Sequence, residues 1–274
     1  MKELRESLLG DLEAYQTLVE EIDQIADIAL WIYENCQGKL ILSGIGKSGL
    51  IAKKIASTLC SVGTEALFIH PVEALHGDLG LVNSQDLFIG FSNSGETDEL
   101  LTLLHIVNKR SIPSLAITSA RDSTLARFSS RFFAYKYEKE SCPLGLAPTT
   151  STTLTLIVGD MLAIELMRLK NIKSKDFAFN HPSGSLGKRL LTRVSDCYVP
   201  ITKTNTYSVN ILLFEILLEK SLTEYGLILV QKNQEIVGVF TDGDLRRILE
   251  INGKLALDFD LGRVCTYSPI YISK

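Results

Sequence analysis

The sequence predicts an α/β fold, a doubly wound parallel sheet of about five strands, followed by a small α+β module. Two observations carry the first part. Short apolar strands alternate with helical segments from Lys39 to Leu169, and the strands read as continuous apolar runs. Such runs mark strands covered by helices on both faces. A third observation carries the second part: beyond Val194 the spacing turns to one helix, a hairpin and another helix.

In chain order, the first 36 residues read as helix, with Leu4, Leu8, Leu12, Tyr15, Val19, Ile22 and Ile25 at helical spacing. Strands are expected at Lys39–Ser43, Glu65–Ile69, Asp86–Ser92, Ser114–Thr118 and Arg131–Lys136. Helices are expected at Lys47–Val62, Val72–Leu79, Glu96–Lys109 and Thr150–Leu169, with a loop from Lys170 to Arg193. The second part reads as a helix at Ser208–Lys220, a hairpin of Tyr225–Gln231 with Ile236–Thr241, and a helix at Asp244–Ile251. A further strand is expected at Pro269–Ser273. The division is therefore 1–193, 194–252 and 253–274, the last being the start of a second module.

Composition narrows the function classes. A formal net charge of −4 gives no support for a nucleic-acid or acidic-membrane partner. Leu154–Met167 is too short and too interrupted by Asp160 and Glu165 to span a bilayer. Five scattered cysteines without C-x-x-C read as reduced thiols of a cytoplasmic protein, with no disulfide framework and no zinc site.

Ligands of parallel sheets bind beyond the carboxyl ends of the strands. Gly44-Ile45-Gly46-Lys47-Ser48-Gly49 opens a helix there, with backbone N–H groups and the Lys47 charge suited to a phosphate or an oxyanion. It also matches G-x-G-x-x-G, a weak signal alone. Glu65 would be the ribose acid of a nicotinamide site, but it opens its strand instead of closing it. Ser92-Asn93-Ser94-Gly95-Glu96-Thr97 places three hydroxyls around a glycine at a helix start, a phosphate cradle or, more plainly, an N-cap. Glu140 to Ser151 holds two prolines and a glycine, and Thr149, Thr150 and Ser151 can cap the long helix and face the ligand end.

Five motifs occur in order: GIGKSG at 44–49, HPVEALHGDLG at 70–80, SNSGET at 92–97, CPLGLAPTTSTT at 142–153 and NHPSGSLGKRL at 180–190. This series resembles the arabinose-5-phosphate isomerases, which carry a sugar isomerase (SIS) domain followed by a pair of CBS domains. Here the CBS pair looks incomplete, as in a shortened member or a fragment. The resemblance implies interconversion of D-ribulose 5-phosphate and D-arabinose 5-phosphate for synthesis of the lipopolysaccharide sugar Kdo, no cofactor, and a homotetramer.

It also implies roles. Ser92, Ser94 and Thr97 match phosphate-binding hydroxyls, and Lys47 and Ser48 line the sugar site. Lys47, Glu99, Glu140 and His181 fall on positions associated with catalysis. Gly46, His76, Thr149 and Ser151 complete the candidate substrate-binding set. Aldose–ketose isomerisation needs a base at carbon, an acid–base group at oxygen and positive charge near the enediolate. Each residue also has a plainer reading. Glu99 could be a solvated first-turn acid, Glu140 one charge in the run Lys136–Glu140, and His181 a packing histidine. No metal is expected to be required, although His76 with His181 could bind a transition ion adventitiously. Thr241-x-x-Asp244 reads as a capping box in preference to a nucleotide contact. The competing functions are a non-catalytic phosphosugar-binding regulator and an isomerase of another sugar phosphate. A regulator has no need of Glu99, Glu140 and His181 together.

Overall fold

The structure is a computed structural model and describes residues 2–200, 203–218 and 225–270; of Ser185 and Leu186 it describes the backbone alone. The chain divides into two units, 1–191 and 192–274.

The first unit is built on five parallel strands: β1 (Leu40–Gly44), β2 (Ala66–Phe68), β3 (Leu87–Phe91), β4 (Ser114–Thr118) and β5 (Arg131–Ala134). Their order is β2-β1-β3-β4-β5. Every residue of β1, β3 and β4 is buried, as their unbroken apolar character requires. One face is covered by α2 (Ile22–Asn35), α3 (Gly46–Ser61) and α7 (Thr150–Leu169), whose Ile28, Ile55 and Val158 share a core with Leu42 and Ile89. The other is covered by α4 (Pro71–Leu75) and α5 (Asp98–Lys109), packing Ala74, Leu103 and Val107 with Ile41 and Phe88. The short α6 (Thr124–Phe128), capped by Ser123, adds Leu125 to that second core.

Four expectations need correction in this unit. The single N-terminal helix is two, α1 (Lys2–Glu20) and α2. Glu21, at φ −97° and ψ 7°, leaves helical geometry between them. The break lets Ile25, Ile28 and Ile32 enter the core, while Leu4, Leu8 and Leu12 stay 73%, 59% and 47% exposed. The expected helix at 72–79 is α4 followed by a 3₁₀ turn at Asp78–Leu81. The helix expected from Glu96 begins at Asp98. The loop expected at 170–193 contains two helices, α8 (Ser174–Asn180) and α9 (Ser185–Leu191). Asp176 accepts from the Lys173 N–H at 2.8 Å and so starts α8, and Gly187 packs against the His181 carbonyl where no Cβ would fit.

The second unit has a four-stranded sheet in the order β6-β7-β8-β9. After α10 (Val194–Cys197), β6 (Thr206–Ser208) ends at Ser208, the residue where the helix was expected to begin. The helix itself, α11, is confined to Leu213–Leu218 among the described residues. The expected hairpin is β7 (Leu227–Lys232) with β8 (Glu235–Thr241), and α12 (Asp242–Asn252) carries the expected capping box of Thr241 and Asp244. α13 (Leu261–Val264) puts Leu261 in one core with Ile216, Ile228 and Phe240, and β9 (Thr266–Tyr267) pairs with β8. Residues after 253 thus pack onto the same sheet, where the sequence suggested a separate beginning. The strand expected at 269–273 is absent at Pro269 and Ile270, and its remainder lies outside the described residues.

Candidate active site

At the carboxyl edge of the first sheet, β1 leads into Gly46, whose φ of 58° turns the chain into α3. Lys47 and Ser48 stand in the first turn of α3, and Lys47 makes no ion pair among the described residues. With Lys53, Phe68 and His70, Lys47 lines a cleft of about 500 Å³. His70 caps α4 by accepting from the Val72 N–H at 3.3 Å, and His76 ends that helix.

β3 leads into the hydroxyl loop. The Ser92 hydroxyl accepts from the Gly95 N–H at 3.0 Å and pairs with Thr97 Oγ1 at 2.8 Å. Gly95, at φ 68°, lies so close to Ser123 that a Cβ would fall 2.1 Å from its hydroxyl oxygen. Ser92 therefore shapes the loop from inside, whereas Ser94 is exposed and, among the described residues, accepts only from the Glu96 N–H at 3.2 Å. Its hydroxyl proton remains for a ligand. Thr97 makes no side-chain cap on α5, so that helix start keeps free N–H groups beside the hydroxyls. Glu99 is exposed on the first turn.

Glu140 is buried, which removes it from the solvated charge run. Its Oε2 accepts from the Thr149 N–H at 2.8 Å, Thr149 Oγ1 at 3.2 Å and the Ser151 N–H at 3.2 Å. Its Oε1 takes the Ser151 hydroxyl. The carboxylate thus caps the N-terminus of the 20-residue α7 from outside. Burial pushes its pKa up, but the Ser151 hydroxyl and the Thr149 and Ser151 N–H groups outweigh that and hold it below its ordinary value. It is ionised at neutral pH, the form a general base needs.

Asn93, Tyr135, Tyr137 and Asp11 are participants that the sequence reading passed over. The Tyr135 hydroxyl donates to Asn93 Oδ1 at 2.9 Å, and Asn93 Nδ2 donates to the Tyr137 hydroxyl at 3.0 Å. Asp11 of α1 accepts from the hydroxyls of Ser141 and Thr150, fastening the loop after Glu140 to α7. An Asn between two serines and two tyrosines just after a strand are ordinary locally; only the sheet order, which sets the ends of β3 and β5 on either side of β4, reveals them.

His181 is not brought to these groups within one chain. It ends α8, stacks on Phe177 at 4.2 Å between ring centroids, and its Nδ1 lies 3.0 Å from the Phe177 carbonyl. The neighbouring Asn180 donates to the carbonyls of Cys60 and Ser61, at the end of α3 remote from Lys47. The 16 residues of α3 separate its ends by about 24 Å at about 1.5 Å each. No cluster of three or more His, Cys, Asp or Glu among the described residues could hold a metal. No helix among the described residues is long and apolar enough to cross a membrane.

An anion-receptive helix start, a lysine outside any ion pair among the described residues and an ionised buried carboxylate on one parallel-sheet edge define a sugar-phosphate isomerase of the SIS type. Residues 35–165 match the SIS domain family. The arabinose 5-phosphate isomerase KdsD of Francisella tularensis is 42% identical, over 96% of this chain and 81% of its own. That of Salmonella typhimurium is 40% identical, over 92% and 77%. A solved Escherichia coli CFT073 protein in complex with arabinose 5-phosphate is 36% identical, with a TM-score of 0.60 over 65% of this chain and 95% of its own. The chain belongs to the arabinose 5-phosphate isomerase family.

Proposed function

We propose that the chain interconverts D-ribulose 5-phosphate and D-arabinose 5-phosphate through an enediol, without a cofactor, and that its product supplies Kdo for lipopolysaccharide. The observation that carries this reading is the Glu140 carboxylate, held ionised at the α7 N-terminus and on the same sheet edge as the hydroxyl loop. Ser94, Thr97 and the start of α5 hold the 5-phosphate, with Ser92 fixing their geometry. Glu140 removes the proton from C2 of the open-chain aldose, with Glu99 the alternative. The electrons form the C1–C2 double bond of the enediol. Lys47 offsets charge on the adjacent oxygen. Return of the proton at C1 and loss of the O2 proton give the ketose. Gly46, Ser48, His76, Thr149 and Ser151 line or support the sugar. His181 serves ring opening or oxygen protonation.

Because His181 and Lys47 stand at opposite ends of α3, we assign His181 to the site of a second subunit in a homotetramer. The exposed leucines 4, 8 and 12 of α1 give that assembly an apolar face. The setting is cytoplasmic, and the second unit is read as a CBS-type module with no catalytic part. A coupled assay of purified protein with D-ribulose 5-phosphate tests the reading: aldose phosphate must form. Binding without turnover would indicate a phosphosugar-sensing regulator.

A further inference from the structure

We propose that Asp11 is a positioning residue for Glu140, locking from α1 the two segments between which the Glu140 carboxylate is held. The inference rests on the isomerase reading for its kinetic meaning, but its geometry stands apart from it.

Glu140 takes its donors from Thr149 and Ser151, while its own segment continues into Ser141. The carboxylate keeps its geometry only while these two segments keep theirs. Ser141 and Thr150 make the joint. The Ser141 N–H is shared between Thr149 Oγ1 at 3.0 Å and Thr150 Oγ1 at 3.1 Å. The Ser141 and Thr150 hydroxyls lie 2.9 Å apart, and both donate to Asp11 Oδ1. Each hydroxyl carries one proton, and a carboxylate accepts both. Without Asp11 the pair can satisfy one proton between themselves, and the second has no other acceptor among the described residues. Thr150 is 1% exposed, and a buried hydroxyl left without a partner is costly. Asp11 therefore holds Thr150 against Ser141, and with it the residues on either side of Thr150 against Glu140.

The helix places Asp11 for this task. Ser7, Asp11, Ala14 and Leu18 follow helical spacing and share one face of α1. Ala14 and Leu18 are buried and anchor the second half of the helix in the core. The first half buries no residue and shares a cavity of about 840 Å³ with residues 136–145. Polar contacts fix it there: the Ser7 hydroxyl donates to the Ser141 carbonyl at 3.1 Å, one turn before Asp11 takes the hydroxyls of Ser141 and Thr150. The other charged groups on the cavity that Glu140 lines are Glu3, Glu6 and Glu13 from α1, with Lys136, Glu138 and Lys139 from its own segment. None is altered by substitution of Asp11.

The test is Asp11→Ala, Asp11→Asn and Thr150→Val. Both bonds to Asp11 end on Oδ1, and the carbonyl oxygen of an asparagine can take that place. Asp11→Ala must lower kcat on the order of ten-fold with KM changed less than about three-fold. Asp11→Asn must recover kcat to within about three-fold of wild type. The Thr149 and Ser151 donors hold the Glu140 pKa down. Their displacement raises it, so the acid limb of the kcat profile must move to higher pH in Asp11→Ala and not in Asp11→Asn. Loss of the Asp11 charge alone moves the limb the other way, and loss of folded protein does not move it, so an upward shift marks geometry. Thr150→Val removes the same bond from the other side and must give the same upward shift, which keeps the test open if Asp11→Ala does not fold. Titration of the Glu140 carboxyl by ¹³C NMR must show that shift without turnover. An unshifted carboxyl in Asp11→Ala or Thr150→Val, or an Asp11→Asn as impaired as Asp11→Ala, overturns the latch. A wild type inactive on every pentose 5-phosphate whose Glu140 carboxyl still shifts in Asp11→Ala overturns the isomerase reading and leaves the latch standing.

Discussion

Ser151 holds Glu140 at both carboxylate oxygens, its hydroxyl on Oε1 and its N–H on Oε2 at 3.2 Å. One residue of α7 thus fixes the distance and the plane of the proposed base. Glu140→Gln keeps the shape and removes the basicity. In deuterated solvent the wild type must wash label into C2 of the aldose, and Glu140→Gln must lose that exchange while still binding substrate. Full exchange in the variant transfers the role to Glu99.

Ser94 is the outward hydroxyl of its loop, whereas Ser92 is committed to Gly95 and Thr97. A charge-assisted hydrogen bond to phosphate is worth about 1.5–3 kcal/mol. Ser94→Ala must therefore raise KM by roughly 10- to 150-fold with little loss of thermal stability. Ser92→Ala must raise KM and lower the melting temperature together, since its bonds are internal. An unchanged KM in both places the phosphate elsewhere.

The sheet and its ligand edge were legible because β1, β3 and β4 are unbroken apolar runs, each ending in a loop of chemically distinct residues. The break at Glu21 was not, because apolar spacing continues through it and only packing onto the sheet decides the bend. Helices α8 and α9 were hidden by length: at seven residues each, they depend on caps and on Gly187 meeting the His181 carbonyl. Glu140 could not be separated from its charged neighbours locally, since its donors lie nine to eleven residues ahead at the start of α7.

The positions of His181 and Lys47 at opposite ends of α3 lead to a complementation experiment. Lys47→Ala and His181→Ala are each expected to be inactive. Mixed, dissociated and reassembled, they must recover a fraction of activity, because some sites then draw both intact residues from different chains. Sedimentation must show an oligomer in each case. No recovery in a verified mixed oligomer, or full activity in a monomer, rejects the shared site.

Asp86, 2% exposed at the side chain, accepts from the N–H groups of Lys39 and Asn83 and from Lys39 Nζ at 2.8 Å. Burial raises its pKa, but these donors outweigh it and the net direction is downward. A depressed folded pKa means that the contribution is present above the unfolded value, about 4, and is lost as pH falls through the folded one. Asp86→Ala leaves three donors unpaired and must destabilise the first unit by about 3–5 kcal/mol at pH 7. That deficit must shrink below about pH 4. Denaturant midpoints across pH measure it, and a deficit constant down to pH 2 contradicts the assignment.

The central claim is tested most directly by incubating the purified chain in deuterated solvent with D-arabinose 5-phosphate in one sample and D-ribulose 5-phosphate in another, followed by ¹H NMR. The two samples must converge on one mixture, with deuterium at C1 of the ketose formed from aldose and at C2 of the aldose formed from ketose. Both sugars persisting unchanged and unlabelled, in a protein that binds them, would contradict it.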